Sequence, residues 1–166
     1  LLHDDTDLLH DGIHLLRYAH GIYALDSGYI RPQLAAIHLI VEQGRVALVD
    51  TASAAALPRV LGALQVLGLT PACVDYIFLT HIHLDHAGGA GVMMQAFPNA
   101  RLVVHPRGAA HMVDPTKLFA AVRTVYGAEE ADRLYGRPTS IPADRIVAAS
   151  EGHRIDLSGR PLVTLH

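Results

Sequence analysis

The chain of 166 residues is half hydrophobic and only 17% charged, which fits one globular domain able to bury most of its apolar surface. Thirteen basic and sixteen acidic residues are interspersed to a net charge of −3, leaving no basic stripe for nucleic acid, and no run of eighteen apolar residues offers a membrane span. The single cysteine, Cys73, excludes an intrachain disulfide and fits a reducing, cytoplasmic setting.

The chain starts at Leu1 without a secretory leader pattern. Residues 1–19 carry His3, His10 and His14 among aspartates and read as a loosely attached N-terminal arm rather than a metal-binding tract. Residues 20–166 read as one domain. Gly21 to Asp26 opens its sheet. Ser27 to Pro32 reads as a solvated loop, with Tyr29 and Arg31 facing water. Ala36–Val41 and Arg45–Asp50 flank Glu42-Gln43-Gly44, a hairpin signal in which the glycine takes positive φ. Asp50 ends its strand, either as a turn former with Thr51 or as a partner that orients a histidine. Pro58 opens a helix with Val60, Leu61, Leu64 and Leu67 as its core stripe, and Gly68 ends it.

Val74 to Leu79 is short, apolar and partly β-branched or aromatic, which predicts a buried strand. Ala87 to Phe97 predicts a short helix stopped by Pro98-Asn99, and Ala100 to His105 a further strand. Residues 107–138 read as a helical insert that shapes a substrate pocket. Asp114-Pro115 starts a helix with Leu118, Val122 and Val125 on one face, Gly127 interrupts it, and Glu129 to Tyr135 forms a second. Tyr126 and Tyr135 are expected to pack in the core. Strands return at Arg145–Ala148, His153–Leu157 and Leu162–Leu165, with Ser158-Gly159 as a turn.

Between the strand at 74–79 and the helix after it lies Thr80-His81-Ile82-His83-Leu84-Asp85-His86-Ala87-Gly88-Gly89. The cluster sits at the carboxyl end of a strand, where ligands and catalytic groups collect in α/β sheets. In extended backbone, positions two apart face the same way, so His81 and His83 can serve one point. Asp85 and His86, adjacent where the chain begins to turn, can serve a second point nearby. Two ions ~3.5–4 Å apart suit such a pair of points, and imidazole with carboxylate suits zinc, iron and manganese. Gly88 and Gly89 are expected to clear room where the backbone passes the ions.

The pattern His81-x-His83-x-Asp85-His86 after Thr80 resembles the metallo-β-lactamase superfamily, specifically its glyoxalase II-like hydrolase branch. Val46-Ala47-Leu48-Val49-Asp50-Thr51 resembles that family's early strand ending in an aspartate. The resemblance implies an α/β fold, a metallo-β-lactamase-like αββα sandwich, present only in part as the first sheet layer and the start of the second. It implies two divalent metal ions, zinc first, with iron or manganese also suited. His81 and His83 would bind one, Asp85 and His86 the other, with Asp50 orienting a ligand from behind. It implies hydrolysis of an ester, thioester, lactone or similar small substrate by a metal-activated hydroxide, Asp85 also handling the proton.

Two alternatives stay open. One is an iron-dependent thiol or persulfide dioxygenase of the same superfamily, the other a catalytically incomplete structural fragment. The expected partner is a small molecule, with no nucleic acid and no membrane, and a homo-oligomer stays open. The family pattern requires a further histidine, a bridging aspartate and a last histidine, all beyond His166. The chain is therefore expected to be part of a longer protein holding half a site. His105, His111 and His166 are not expected to bind metal.

Overall fold

The computed structural model describes residues 6–10 and 12–166. Eight strands form one sheet, and they lie side by side in chain order. They are β1 (Thr6–His10), β2 (Ile13–Tyr18), β3 (Ile22–Asp26), β4 (Ala36–Glu42), β5 (Arg45–Val49), β6 (Val74–Phe78), β7 (Arg101–Val104) and β8 (Ile146–Ala148). The first five run antiparallel, joined by short connections except for the nine-residue loop 27–35 between β3 and β4. From β5 onward the pairs are parallel. A parallel pair needs a long crossover, and helices supply each one. α1 (Leu57–Val66) links β5 to β6, and α2 (Leu84–Ala87) with α3 (Ala90–Ala96) links β6 to β7. α4 (Pro106–Val113), α5 (Thr116–Tyr126) and α6 (Ala128–Tyr135) link β7 to β8, so residues 107–138 are helical as read. β9 (Arg154–Leu157) and β10 (Arg160–Val163) form a separate antiparallel pair.

The turn at Glu42-Gln43-Gly44 shows why loop chemistry sets register. Gln43 has φ 46° and Gly44 φ 77°, the paired positive values of the hairpin turn that matches strand twist. Glu42 then faces Arg45, and the alternation down β4 buries Ile37 and Leu39.

Two expectations are corrected. The loosely attached arm over 1–19 does not describe residues 6–10 or 13–18, which are β1 and β2 of the sheet; His3 lies outside the described residues. The signal was Asp11-Gly12 between alternating apolar residues, a strong hairpin dipeptide. Leu15 on β2 is fully buried, and Ile13 packs against the same core. The second correction concerns α1. Its buried face is Val60, Ala63 and Leu64, with Leu67 packed against the same core as read, whereas Leu61 points outward. Helix phase is set by which residues meet the sheet, and Ala63 fits the close approach that a leucine stripe would have blocked.

The main core lies between the sheet and helices α1 and α3. Leu48, Leu64, Ile77, Met93, Met94, Phe97 and Leu102 are all fully buried there. Each such side chain contributes about 1.5–3 kcal/mol by leaving water.

One arginine ties this layer together. Arg145, just before β8, donates to the carbonyls of Met94 (2.7 Å), Phe97 (2.7 Å) and Ala100 (2.7 and 3.1 Å). The last turn of α3 leaves carbonyls without helical partners, and a cation there also meets the negative end of the helix dipole. Arg145→Ala strips Met94 O and Ala100 O of these donors in buried residues and leaves Phe97 O only the Ala100 N–H at 3.2 Å. A loss of about 2–4 kcal/mol is expected, read as a lower urea midpoint at constant slope. An unchanged midpoint would show that water replaces the guanidinium without cost.

Candidate metal centre

The parallel arrangement brings the carboxyl ends of β5, β6 and β7 to one edge of the sheet. Asp50 follows β5, the Thr80–His86 loop follows β6, and His105 follows β7. Phe78 pairs with both Val49 and Val103, and the ladder runs one residue further through Asp50 N–H to Phe78 O (2.8 Å) and Leu79 N–H to Val103 O (2.9 Å). These bonds fix how far each strand reaches before its loop begins.

Asp50 is buried and turns the chain sharply, with φ 62°. That left-handed conformation costs little for aspartate and more for Ala52, which shares it at φ 50°. The strained segment is pinned by Thr51, whose N–H and Oγ1 both donate to the His86 carbonyl (2.7 and 2.8 Å). Gly89 N–H donates to Ala52 O (2.8 Å). Both glycines clear room for neighbouring backbone. A Cβ on Gly89 would stand 2.8 Å from both the Thr51 and Ser53 carbonyl oxygens, and one on Gly88 would collide with Leu84 O and stand 3.3 Å from Ala52 O.

A buried carboxylate must be satisfied by donors. Asp50 Oδ1 accepts from Thr80 N–H (2.8 Å), and Thr80 Oγ1 lies 3.0 and 2.8 Å from Oδ1 and Oδ2. Asp50 Oδ2 also faces His86 Nδ1 at 2.8 Å. A carboxylate only accepts here, so His86 carries its proton on Nδ1 and presents a lone pair at Nε2. The Thr80 hydroxyl gives its proton to Asp50 and therefore accepts from His81 Nδ1 at 3.0 Å. His81 Nε2 is left as a lone pair by the same logic. One carboxylate thus sets the tautomer of two histidines, one directly and one through a hydroxyl. Thr80 carries no such role in the sequence reading; its adjacency to His81 was the only sign.

The named donors are brought together in pairs. His86 Nε2 stands 3.6 Å from Asp85 Oδ2. Two donors on one tetrahedral ion, each ~2.1 Å from it, sit about 3.4 Å apart, so this pair fits a shared ion. The His81 ring lies over His86 at 4.1 Å between centroids, tilted 47°, and meets the His83 edge at 4.8 Å. Partial burial, then the His86 and His83 imidazoles, holds His81 below its ordinary pKa against the pull of Asp50 and Asp85. A neutral imidazole is the form that binds a cation. Among the described residues no three His, Cys, Asp or Glu side chains are grouped to hold an ion as they stand. His83 is exposed, so its ring turns at little cost while His81 stays bonded to Thr80, and the donor set fits a divalent ion chemically.

The other candidates separate clearly. His105 caps α4, its Nδ1 accepting from Arg107 N–H at 3.2 Å. Its proton is therefore on Nε2, and no lone pair is free for a metal. Tyr29 is not the solvated loop residue expected. It stacks on buried Tyr135 at 6.0 Å, and Tyr126 meets Tyr135 edge-on at 6.1 Å. Burial raises the Tyr29 hydroxyl above its usual range against the lowering effect of a hydrogen bond with Tyr135, and the negative charge of Asp85 adds to the rise. Tyr135 packs as read, whereas Tyr126 is half exposed at 51%.

Among the described residues no helix is long and apolar enough to cross a membrane. The model of the Metallo-beta-lactamase superfamily matches residues 30–166. A Bacillus subtilis (strain 168) protein named as uncharacterized protein YobT is 30% identical over 81 residues, 49% of this chain and 34% of that one. The native FEZ-1 metallo-beta-lactamase from Legionella gormanii superposes with a TM-score of 0.67 at 20% identity, over 90% of this chain and 51% of that one. BJP-1, a subclass B3 metallo-beta-lactamase of Bradyrhizobium japonicum, gives 0.64 at 23% identity over 91% and 50%. The chain therefore spans about half the length of the solved structures it matches and about a third of the curated relative. With the fold, the strand-end loop and the family match in agreement, this chain belongs to the metallo-beta-lactamase superfamily.

Proposed function

We propose that the protein is a metal-dependent hydrolase of the glyoxalase II-like kind, acting on an ester, thioester, lactone or similar small substrate. The observation that carries the reading is the 2.8 Å bond from His86 Nδ1 to Asp50, which frees Nε2 toward Asp85 Oδ2 at 3.6 Å. Such carboxylate–histidine pairs orient ligands and raise their basicity. In this reading His81 and His83 hold one divalent ion and Asp85 with His86 a second, zinc first among the candidates. When bound, such ions acidify a water molecule toward neutral pH and polarise a substrate oxygen.

The chain's own residues do the rest. Asp50 and Thr80 keep His81 and His86 in the binding tautomer. Asp85, half-buried beside His86, is the carboxylate placed to hold a proton during transfer. Because the chain covers about half of its structural relatives, the activity belongs to the whole protein.

Elemental analysis of the full-length protein, followed by a panel of ester, thioester and lactone substrates, tests this. Bound zinc is expected, with turnover that a chelator abolishes and zinc restores. Turnover that survives chelation, or bound iron with oxygen uptake, would overturn the hydrolase reading.

A further inference from the structure

A groove of about 430 Å³ opens beside the metal loop on the β7–α4 side, lined by Thr80, His81, His105, Arg107, His111 and His166 among others. No aspartate or glutamate lines it, although acidic residues outnumber basic ones in the whole chain, sixteen to thirteen. We propose that this groove is an oxyanion subsite that takes a carboxylate or phosphate group of the substrate.

Arg107 and His105 supply the donors, and the lone pairs that face them belong to neutral rings, His81 Nε2 and His166 Nδ1, with no carboxylate side chain in the lining. Arg107 and His111 are four residues apart on α4, so they share one face of the helix. The Arg107 guanidinium is exposed, and among the described residues no carboxylate pairs with it. Its planar fork matches an oxyanion in two parallel bonds. His105 accepts the Arg107 N–H at Nδ1 (3.2 Å), so its Nε2 is an N–H donor. A cation would find no lone pair there, and an anion finds a proton. His166 packs edge-on against His105 at 4.5 Å and is anchored through Nε2 to Ala149 O at 3.0 Å, which holds the His105 ring in place.

The groove stands next to the metal loop because α4 is pressed against it. A Cβ on Gly108 would fall 2.7 Å from Ile82 Cγ2 and 3.0 Å from Val104 Cγ2. Only glycine permits that approach, and Ile82 lies between His81 and His83. A substrate with its scissile group at His81 therefore reaches Arg107 with an acidic arm.

The role in substrate choice rests on the hydrolase reading; the binding itself does not, and the two are tested apart. Metal-free, chelator-treated protein is titrated with inorganic phosphate and, separately, with succinate, while side-chain N–H resonances are followed by NMR. Saturable shifts at Arg107 Nε–H and His105 Nε2–H are expected, and the probe that saturates first names the group. Arg107→Gln should weaken that probe about tenfold and Arg107→Lys by less. Arg101→Gln, at the exposed start of β7, should bind as wild type. No saturable shift with either probe, or wild-type affinity in Arg107→Gln, overturns the subsite. In the metal-loaded full-length protein, Arg107→Gln should lower about tenfold the kcat/KM of an acid-bearing ester relative to its neutral analogue. An unchanged ratio overturns the substrate role. Absence of hydrolysis with phosphate binding intact removes the hydrolase reading and leaves the subsite standing.

Discussion

Asp50→Asn should keep the fold and lose most of the metal affinity. The side chains are nearly the same size, so packing survives. The amide, however, has one acceptor and one donor group where the carboxylate had two acceptors. Thr80 N–H at 2.8 Å from Oδ1 demands an acceptor, which forces the amide nitrogen toward His86. The amide then donates to His86 Nδ1, and the imidazole proton moves to Nε2, the atom that should carry the lone pair. The same amide comes within reach of Thr80 Oγ1, whose proton then has only Oδ1, at 3.0 Å, as its acceptor at position 50. His86 loses its preset tautomer outright, and the acceptor that Thr80 offers His81 is held less firmly. Outer partners of this kind are worth ~10–100-fold in metal affinity, and here two ligands share one. Chelator competition on the full-length protein would measure the loss, and nitrogen NMR would show the His86 tautomer change. Affinity equal to wild type would mean that the network is structural only.

His86→Ala should do two separable things. It removes a metal donor, which costs more than the ~10–100-fold of an outer partner. It also strips Asp50 Oδ2 of its histidine partner at 2.8 Å, in a residue that is only 7% exposed. Leaving such an acceptor short of a donor costs about 1–3 kcal/mol. The destabilisation should therefore persist in excess chelator, where metal plays no part. His83→Ala is the comparison, because its exposed ring makes no bond to Asp50. It should lose metal and activity while keeping the metal-free unfolding midpoint. If both variants unfold alike in chelator, the Asp50–His86 bond is not holding the loop.

The candidate metal loop stands out in sequence because its donor side chains are local. Four donor side chains fall within six residues after an apolar strand, and no long-range contact is needed to see that. The hairpin at Gln43-Gly44 and the stop at Gly68 were legible for the same reason. Asp50 was half legible: its place at a strand end was visible, but turn former and histidine partner are written the same way. Only the parallel pairing of β5 with β6, which brings residue 50 to residues 80–86, separates them. Arg145 and its carbonyls are 45 to 51 residues apart, and no periodicity marks such a bond. The loose-arm reading of 1–19 came from weighing histidines and aspartates above the Asp-Gly dipeptide between them. Leucine marks a core by its size alone, yet on α1 it is Ala63 that is fully buried and Leu61 that faces out.

The strand order carries a consequence for how the molecule is made. Each strand from β1 to β8 docks beside the one synthesised just before it, and none has to be wedged between two neighbours already paired. The sheet can therefore be laid down as the chain leaves the ribosome, growing from one margin only. Chain synthesis is slow, ~5–20 residues per second, so each hairpin of the first half has time to close before the next is exposed. The three strand ends that frame the candidate metal loop are complete when β7 settles on β6, with only β8 still to join the sheet. Before that moment Asp50 already waits at the end of a finished strand, and the histidines that it orients arrive afterwards.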